Sequence, residues 1–343
     1  MNITILVGNG FDISLGLKTD YASFLKQYAI IEEKDSGVIK DFKEAIASDI
    51  KNWSDFERKV GEYTACFEPL GSRNRGEFYE CMNDIRQKMI RYLEDEERTI
   101  LSLFEVENGF INNKEAVQLE AYLQVFTRSL FRMTESLSDG SKNKLSTAFN
   151  DEDSKTFSFI LFNYTRLFER FLRTVRYYPE AEGISFYDPV HVHGSLNQDV
   201  LFGVNDVKQV KNQEFCEDSE FVTNYIKPYA NNVLENMRMK NSKEYINESD
   251  IIVIYGMSLG KTDAIWWNLI GDWLCTKNKK HFVIVFYFDA NRNKSKVSDL
   301  VEVQSAIRAR LLPDTFFKNQ SEENIESMRK QVFVELNSNF FMF

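Results

Sequence analysis

The stretch ILVGNGFD, residues 5–12, sets an apolar run directly against a glycine turn. Ile3 to Val7 is an apolar run that reads as a buried strand, and it breaks at once into Gly8-Asn9-Gly10, a turn whose bare amides can approach a phosphate. A full dinucleotide fingerprint, G-x-G-x-x-G, requires glycine at position 13, where this chain has Ile13. The plainer reading is a tight turn with Asp12 near the N-terminus of the following helix, favoured by capping and the helix dipole.

Three more apolar runs end in loops in the same way: Phe157 to Phe162, Ile251 to Tyr255 and Phe282 to Phe288. Short, continuous and rich in Ile, Val and Phe, they read as buried strands of a parallel sheet, and the fold class is α/β, with ligands gathering at the carboxyl ends of the strands. Between the first two strands, about Tyr21 to Phe149, the chain carries one proline, Pro69, and few glycines. There Phe78, Cys81, Met82, Ile85, Met89, Tyr92 and Leu93 recur at helical spacing, as do Leu119, Tyr122, Leu123, Phe126, Leu130, Met133 and Leu137. The expected organisation is an α/β domain from 1–20 and 150–343 with a helical insertion or layer over 21–149. Ser72 to Gly76 and Ser138 to Ser141 are the expected loop breaks.

At 343 residues the chain can build a large core without staples. With 42 Lys and Arg against 52 Asp and Glu, the formal charge of -10 opposes a nucleic acid or an anionic membrane as the main partner, while a small anion held locally stays allowed. Cys66, Cys81, Cys216 and Cys275 are too scattered for a disulfide framework or a paired-cysteine zinc site. The opening residues lack a basic, signal-like region and the most apolar run is far too short for a bilayer, so the expected localisation is cytoplasmic.

Three further motifs carry chemistry. YGMSLGKTD, residues 255–263, tempts toward a Walker loop, but only three residues separate Gly256 from Gly260, where that loop needs four. The alternative is a strand-end loop in which Gly256 allows close approach and Ser258 offers a hydroxyl, with Thr262 or Asp263 as a helix N-cap. HVHGSL, residues 191–196, holds two of the three histidines. His191 and His193 could share a metal, although no third ligand stands nearby, or His193 could act alone as a base near neutral pH. LFNYT, residues 161–165, ends a strand in Asn163, whose donor and acceptor suit it to hold a water or a sugar hydroxyl.

Taken in order, these motifs resemble the sirtuin-like fold. Gly8-x-Gly10 with Gly16-Leu17 resembles its glycine-rich opening, Phe162-Asn163-Tyr164-Thr165 its T-Q-N-I-D element, His193-Gly194-Ser195 its H-G, and Gly256-Met257-Ser258-Leu259 its G-T-S-L. More closely, GNGFDISLGLKTDYASFL, NWSDFE, FNYT, HVHGSL and YGMSLGKTD together resemble the AbiH family of phage abortive-infection proteins. The chain departs from sirtuins in lacking paired zinc-binding cysteines and in carrying Asp12 where they have serine.

The resemblance implies a sirtuin-like, Rossmann-related parallel sheet with helices on both faces, NAD as substrate or ligand, no metal, and hydrolysis of the N-glycosidic bond to nicotinamide and ADP-ribose in phage defence. It implies His193 as base and Asn163 as the group that orients water or ribose. Gly8, Asn9, Gly10, Phe11, Asp12, Gly194, Gly256 and Ser258 would bind the nucleotide, with the amides of residues 8–10 at the pyrophosphate and Asp12 and Ser258 at ribose or phosphate. Asp55 and Glu57 read as salt-bridged surface or a polar wall. The rival readings are a nucleotide sensor without turnover and a metal-dependent hydrolase or nuclease on His191 and His193. A phage-encoded trigger and a homo-oligomer stay open as partners.

Overall fold

The computed structural model describes residues 1–53, 55–104, 113–146, 154–198, 200–204, 206–233, 237–260, 263–276, 281–312 and 321–343. Thr262, one of the two expected caps, lies outside them. The chain forms two compact units: 1–15 with 100–192 and 238–343, and 16–99 with 193–237. These boundaries differ from the expected ones at three places, the first being residues 16–20, which fall in the second unit. Residues 100–149 belong with the sheet, because a helix built on periodic apolar residues looks the same in sequence whichever core it covers. Residues 193–237 belong with the helices of 16–99.

The first unit is a parallel sheet of seven strands: β1 (Asn2–Val7), β2 (Lys155–Leu161), β3 (Ile184–Phe186), β4 (Val190–His191), β5 (Ile251–Tyr255), β6 (Phe282–Tyr287) and β7 (Val332–Leu336). Their order is β3-β2-β1-β5-β6-β7, with β4 also pairing β2, and every pairing is parallel. With β3 and β4 sharing one edge, this is the strand order of doubly wound nucleotide-binding sheets, which reverses direction at the neighbours β1 and β5. Right-handed crossovers that leave β1 in opposite directions put their helices on opposite faces.

Burial bears this out residue by residue, since consecutive side chains of a strand point to opposite faces. Ile5 and Leu6 are both fully buried. Leu6, Ile254 and Val285 pack with Trp266, Trp267 and Ile270 of the helix Ala264–Leu274. On the other face, Phe159 meets Phe168 of the helix Leu167–Val175 at 5.2 Å between ring centroids. Beside them Phe11, Phe126, Phe168, Phe171, Phe341 and Phe343 form one aromatic cluster, in which Phe11 lies 5.2 to 6.0 Å from each of the other five.

The second unit is mainly helical. Phe67, Phe78, Phe215 and Phe221 pack ring against ring in its core. Backbone contacts tie its two segments together: the Lys211 amide donates to the Gly61 carbonyl, and a Cβ on Gly61 would stand 2.5 Å from the Gln209 carbonyl oxygen. Of the expected loop breaks, Ser72 to Asn74 stands before the helix Arg75–Leu101, which takes in Arg75 and Gly76, and Ser138 stands before the helix Asp139–Leu145, which takes in residues 139–141. Among the described residues no helix is long and apolar enough to cross a membrane.

Phe341 is fully buried in the aromatic cluster. Phe341→Ala therefore leaves a cavity under the sheet, with an expected loss of about 3–5 kcal/mol in urea unfolding; a loss under about 1 kcal/mol would show that the cluster collapses around the gap.

Candidate functional site

Two loops meet where the strand order reverses. As β1 ends, the Gly8 amide donates to the Tyr255 carbonyl at 2.9 Å, and the Gly10 amide to the Gly256 carbonyl at 2.9 Å. The approach is so close that a Cβ on Gly10 would stand 2.4 Å from the Gly256 Cα, and one on Gly8 2.6 Å from the Gly256 carbonyl oxygen. Gly256 itself has φ +68°, open to glycine at little cost. The three glycines thus serve a loop crossing. The amides of Gly8 and Gly10, expected to face a pyrophosphate, each donate to a carbonyl of the neighbouring loop. The Asn9 carbonyl accepts from the Ile13 amide as the helix Gly10–Ser14 begins.

From that helix two successive side chains diverge. Phe11, expected among the nucleotide-binding residues, enters the aromatic cluster and is fully buried. Asp12, also fully buried, meets Asn163 and Thr165 just beyond the end of β2. The Asn163 Nδ2 donates to Asp12 Oδ1 at 3.2 Å and Oδ2 at 3.3 Å, and to Thr165 Oγ1 at 3.2 Å. The Thr165 hydroxyl in turn donates to Asp12 Oδ2 at 2.7 Å. Asp12, expected to touch ribose or phosphate, holds Asn163 with its carboxylate.

Asn163 is 3% exposed, and its Oδ1 is buried with no hydrogen-bond partner among the described residues. An acceptor left so costs roughly 1–3 kcal/mol of desolvation. Its own backbone carbonyl accepts from His191 Nδ1 at 3.0 Å. A carbonyl only accepts, so Nδ1 carries the proton. His191 Nε2 lies 3.6 Å from Glu169 Oε1. Burial raises the Glu169 pKa, while the His191 ring, with Arg173 and Arg166, lowers it by more, leaving it below the ordinary glutamate value.

The remaining expected residues are placed as follows. Ser258 is exposed, and its carbonyl accepts from Arg310 Nη1 at 3.4 Å. Asp263 precedes the helix Ala264–Leu274 without a side-chain capping bond. His193 and Gly194 belong to the second unit. His193 is 7% exposed, its carbonyl accepts from the Leu201 amide at 2.8 Å, and Gly194 has φ +80°. In that unit Asp55 is a surface partner of Arg58. Glu57 is buried and pairs with buried Lys227 at 2.7 Å, a correction to the surface reading. Among the described residues no group of three or more His, Cys, Asp and Glu could hold a metal.

The structure thus joins Gly8 and Gly10 with Gly256, and Asp12 and His191 with Asn163. Sequence reasoning missed Thr165 and Glu169. Thr165 stood in the quoted motif, two residues from Asn163, and its hydroxyl was the available signal. Nothing local marks Glu169.

Compared with models of known families, residues 4–287 match the one described as bacteriophage abortive infection AbiH. The match runs from β1 to the end of β6. No curated protein matches the chain.

Because the folded Glu169 value lies below the unfolded one, its contribution to stability is present above the ordinary glutamate range and is lost as pH falls through the folded value. Urea midpoints of wild type and Glu169→Gln should differ most at about pH 6 and converge by about pH 3. A gap that stays constant with pH would show that the His191 contact is electrostatically silent.

Proposed function

The chain belongs to the AbiH family of bacteriophage abortive infection proteins, and from that premise we propose that its parallel sheet binds NAD and that the protein hydrolyses the N-glycosidic bond. The observation that carries this reading is Asn163: a buried amide clamped on one side, with an unpartnered acceptor on the other, just past β2 in a sheet whose order reverses at β1 and β5. Ligands of doubly wound sheets lie at the carboxyl ends of the strands, at that reversal. The crossing of Gly8 and Gly10 with Gly256 brings backbone against backbone there.

The chemistry asks little of the protein. Nicotinamide leaves NAD as a neutral molecule, taking the electron pair of the bond to C1′, so the departing group needs no acid. Water attacks the oxocarbenium-like C1′, and its proton passes to a base; the products are nicotinamide and ADP-ribose. Asn163 supplies orientation to ribose or water. His193 supplies the base, a role that rests on its match to the H-G element of sirtuin-like proteins. In abortive infection, loss of the NAD pool stops phage growth along with the cell.

Purified protein mixed with NAD is expected to release nicotinamide and ADP-ribose at a constant rate that a chelator leaves unchanged. His193→Ala should lower kcat by about a hundredfold or more while NAD affinity holds within a few-fold. NAD retained intact, both alone and in extracts of infected cells, would replace hydrolysis by a sensor. Turnover abolished by the chelator would replace it by a metal-dependent reaction.

A further inference from the structure

We propose that Asp12 and Thr165 are positioning residues that fix the polarity of Asn163, so that this point of the site reads a hydroxyl group of the ligand and turns phosphate away. The inference deepens the nucleotide reading above and rests on it.

The polarity argument is geometric. A side-chain amide can present either its oxygen or its nitrogen after a half turn, and the two ends have opposite hydrogen-bonding character. Here the Nδ2 end faces both oxygens of Asp12 and the hydroxyl oxygen of Thr165. The opposite orientation would set Oδ1 against a carboxylate, acceptor against acceptor. The Thr165 hydroxyl has one hydrogen and gives it to Asp12 Oδ2 at 2.7 Å, so toward Asn163 it acts only as an acceptor. Both neighbours therefore demand the same orientation. The backbone of Asn163 is held as well, through its carbonyl and His191 Nδ1.

What is left for a ligand is Oδ1, an acceptor with no hydrogen-bond partner among the described residues. Only a donor satisfies it. A phosphate oxygen brings lone pairs to an oxygen that a buried carboxylate backs at one remove, so the phosphates of a dinucleotide belong elsewhere along the strand ends. A ribose hydroxyl has the donor and the size. Asp12 acts at a distance from the ligand, by deciding which end of an amide the ligand meets.

The test compares affinities by calorimetry for NAD and for its 2′-deoxy-2′-fluoro and 3′-deoxy-3′-fluoro analogues on the nicotinamide ribose. Fluorine keeps the bulk and removes the donor. Wild type is expected to bind one analogue at least about tenfold more weakly than NAD. Thr165→Val and Asp12→Asn should bring that ratio close to one, and Thr165→Ser, which keeps the hydroxyl, should preserve it. Loss of fold weakens all three ligands alike and leaves the ratio untouched, so the ratio separates positioning from damage. If Asp12→Asn does not fold, the Thr165 pair decides alone. NAD bound with neither analogue disfavoured, or a ratio that survives Thr165→Val, overturns the proposal and leaves the nucleotide reading standing. No NAD binding by wild type overturns both.

Discussion

The first unit depends on one backbone-on-backbone contact. Where the loops after β1 and β5 cross, Gly10 and Gly256 approach so closely that neither tolerates a Cβ. The setting is topological: β1 and β5 are adjacent central strands whose connections leave in opposite directions, and the loops are bonded to each other before they part. Two amide-to-carbonyl bonds satisfy the donors of Gly8 and Gly10 at the crossing, where an unpaired amide would be costly. The crossing also sets where the short helix Gly10–Ser14 begins. Its start fixes the directions of Phe11 and Asp12, one into rings and the other into hydrogen bonds.

That divergence explains how a carboxylate sits fully buried one residue away from an aromatic core. Asp12 accepts from the Asn163 amide and the Thr165 hydroxyl, and bonds to a charged acceptor are the stronger kind. The second unit handles buried charge differently, with direct ion pairs: Lys43 to Asp35 at 2.6 Å and Lys227 to Glu57 at 2.7 Å. For Asp35, burial raises the pKa and the Lys43 bond opposes it, with the net value lowered to about 2. Such a pair neutralises itself and leaves nothing unsatisfied. The Asp12 cluster passes its demand to Asn163, whose far end stays unpartnered. The first arrangement closes on itself, and the second leaves one buried acceptor unpartnered.

Much of this was legible before the structure. Four strands were readable because a strand buried on both faces of a parallel sheet is a nearly continuous apolar run, broken here only by Thr4 and Ser158. The strands that escaped are short or mixed: β3 has three residues and β4 two, and β7 includes Glu335. That glutamate is buried by accepting from the amide and hydroxyl of Ser138, 197 positions away, and no local pattern announces such a partner. The glycine pair was readable as a close approach, while what it approaches was not. A glycine records that a Cβ is forbidden and says nothing of whether a phosphate or another loop forbids it. Glu57 misled for the same reason, because its partner Lys227 lies 170 positions on.

The residues that secure the crossing reach beyond the span shared with the AbiH family, which ends at residue 287. Tyr255, the last residue of β5, donates its hydroxyl to the Phe341 carbonyl at 2.8 Å. The Phe341 amide donates to Ser129 Oγ, also at 2.8 Å. Its ring packs on Phe11 at 5.5 Å and on Tyr255 at 5.3 Å. Phe341 thus touches the residue after Gly10 and the residue before Gly256, one on each side of the crossing. It does so with φ +45°, a conformation that is uncommon for a side chain of its bulk. A strained residue held by two hydrogen bonds and a set of ring contacts persists only where its surroundings over-determine it. Since Phe11 and Asp12 share one short helix, whatever seats Phe11 also sets the position from which Asp12 meets Asn163. The aromatic cluster and the polar cluster are therefore two faces of a single constraint, with rings fixing the helix and the helix aiming the carboxylate.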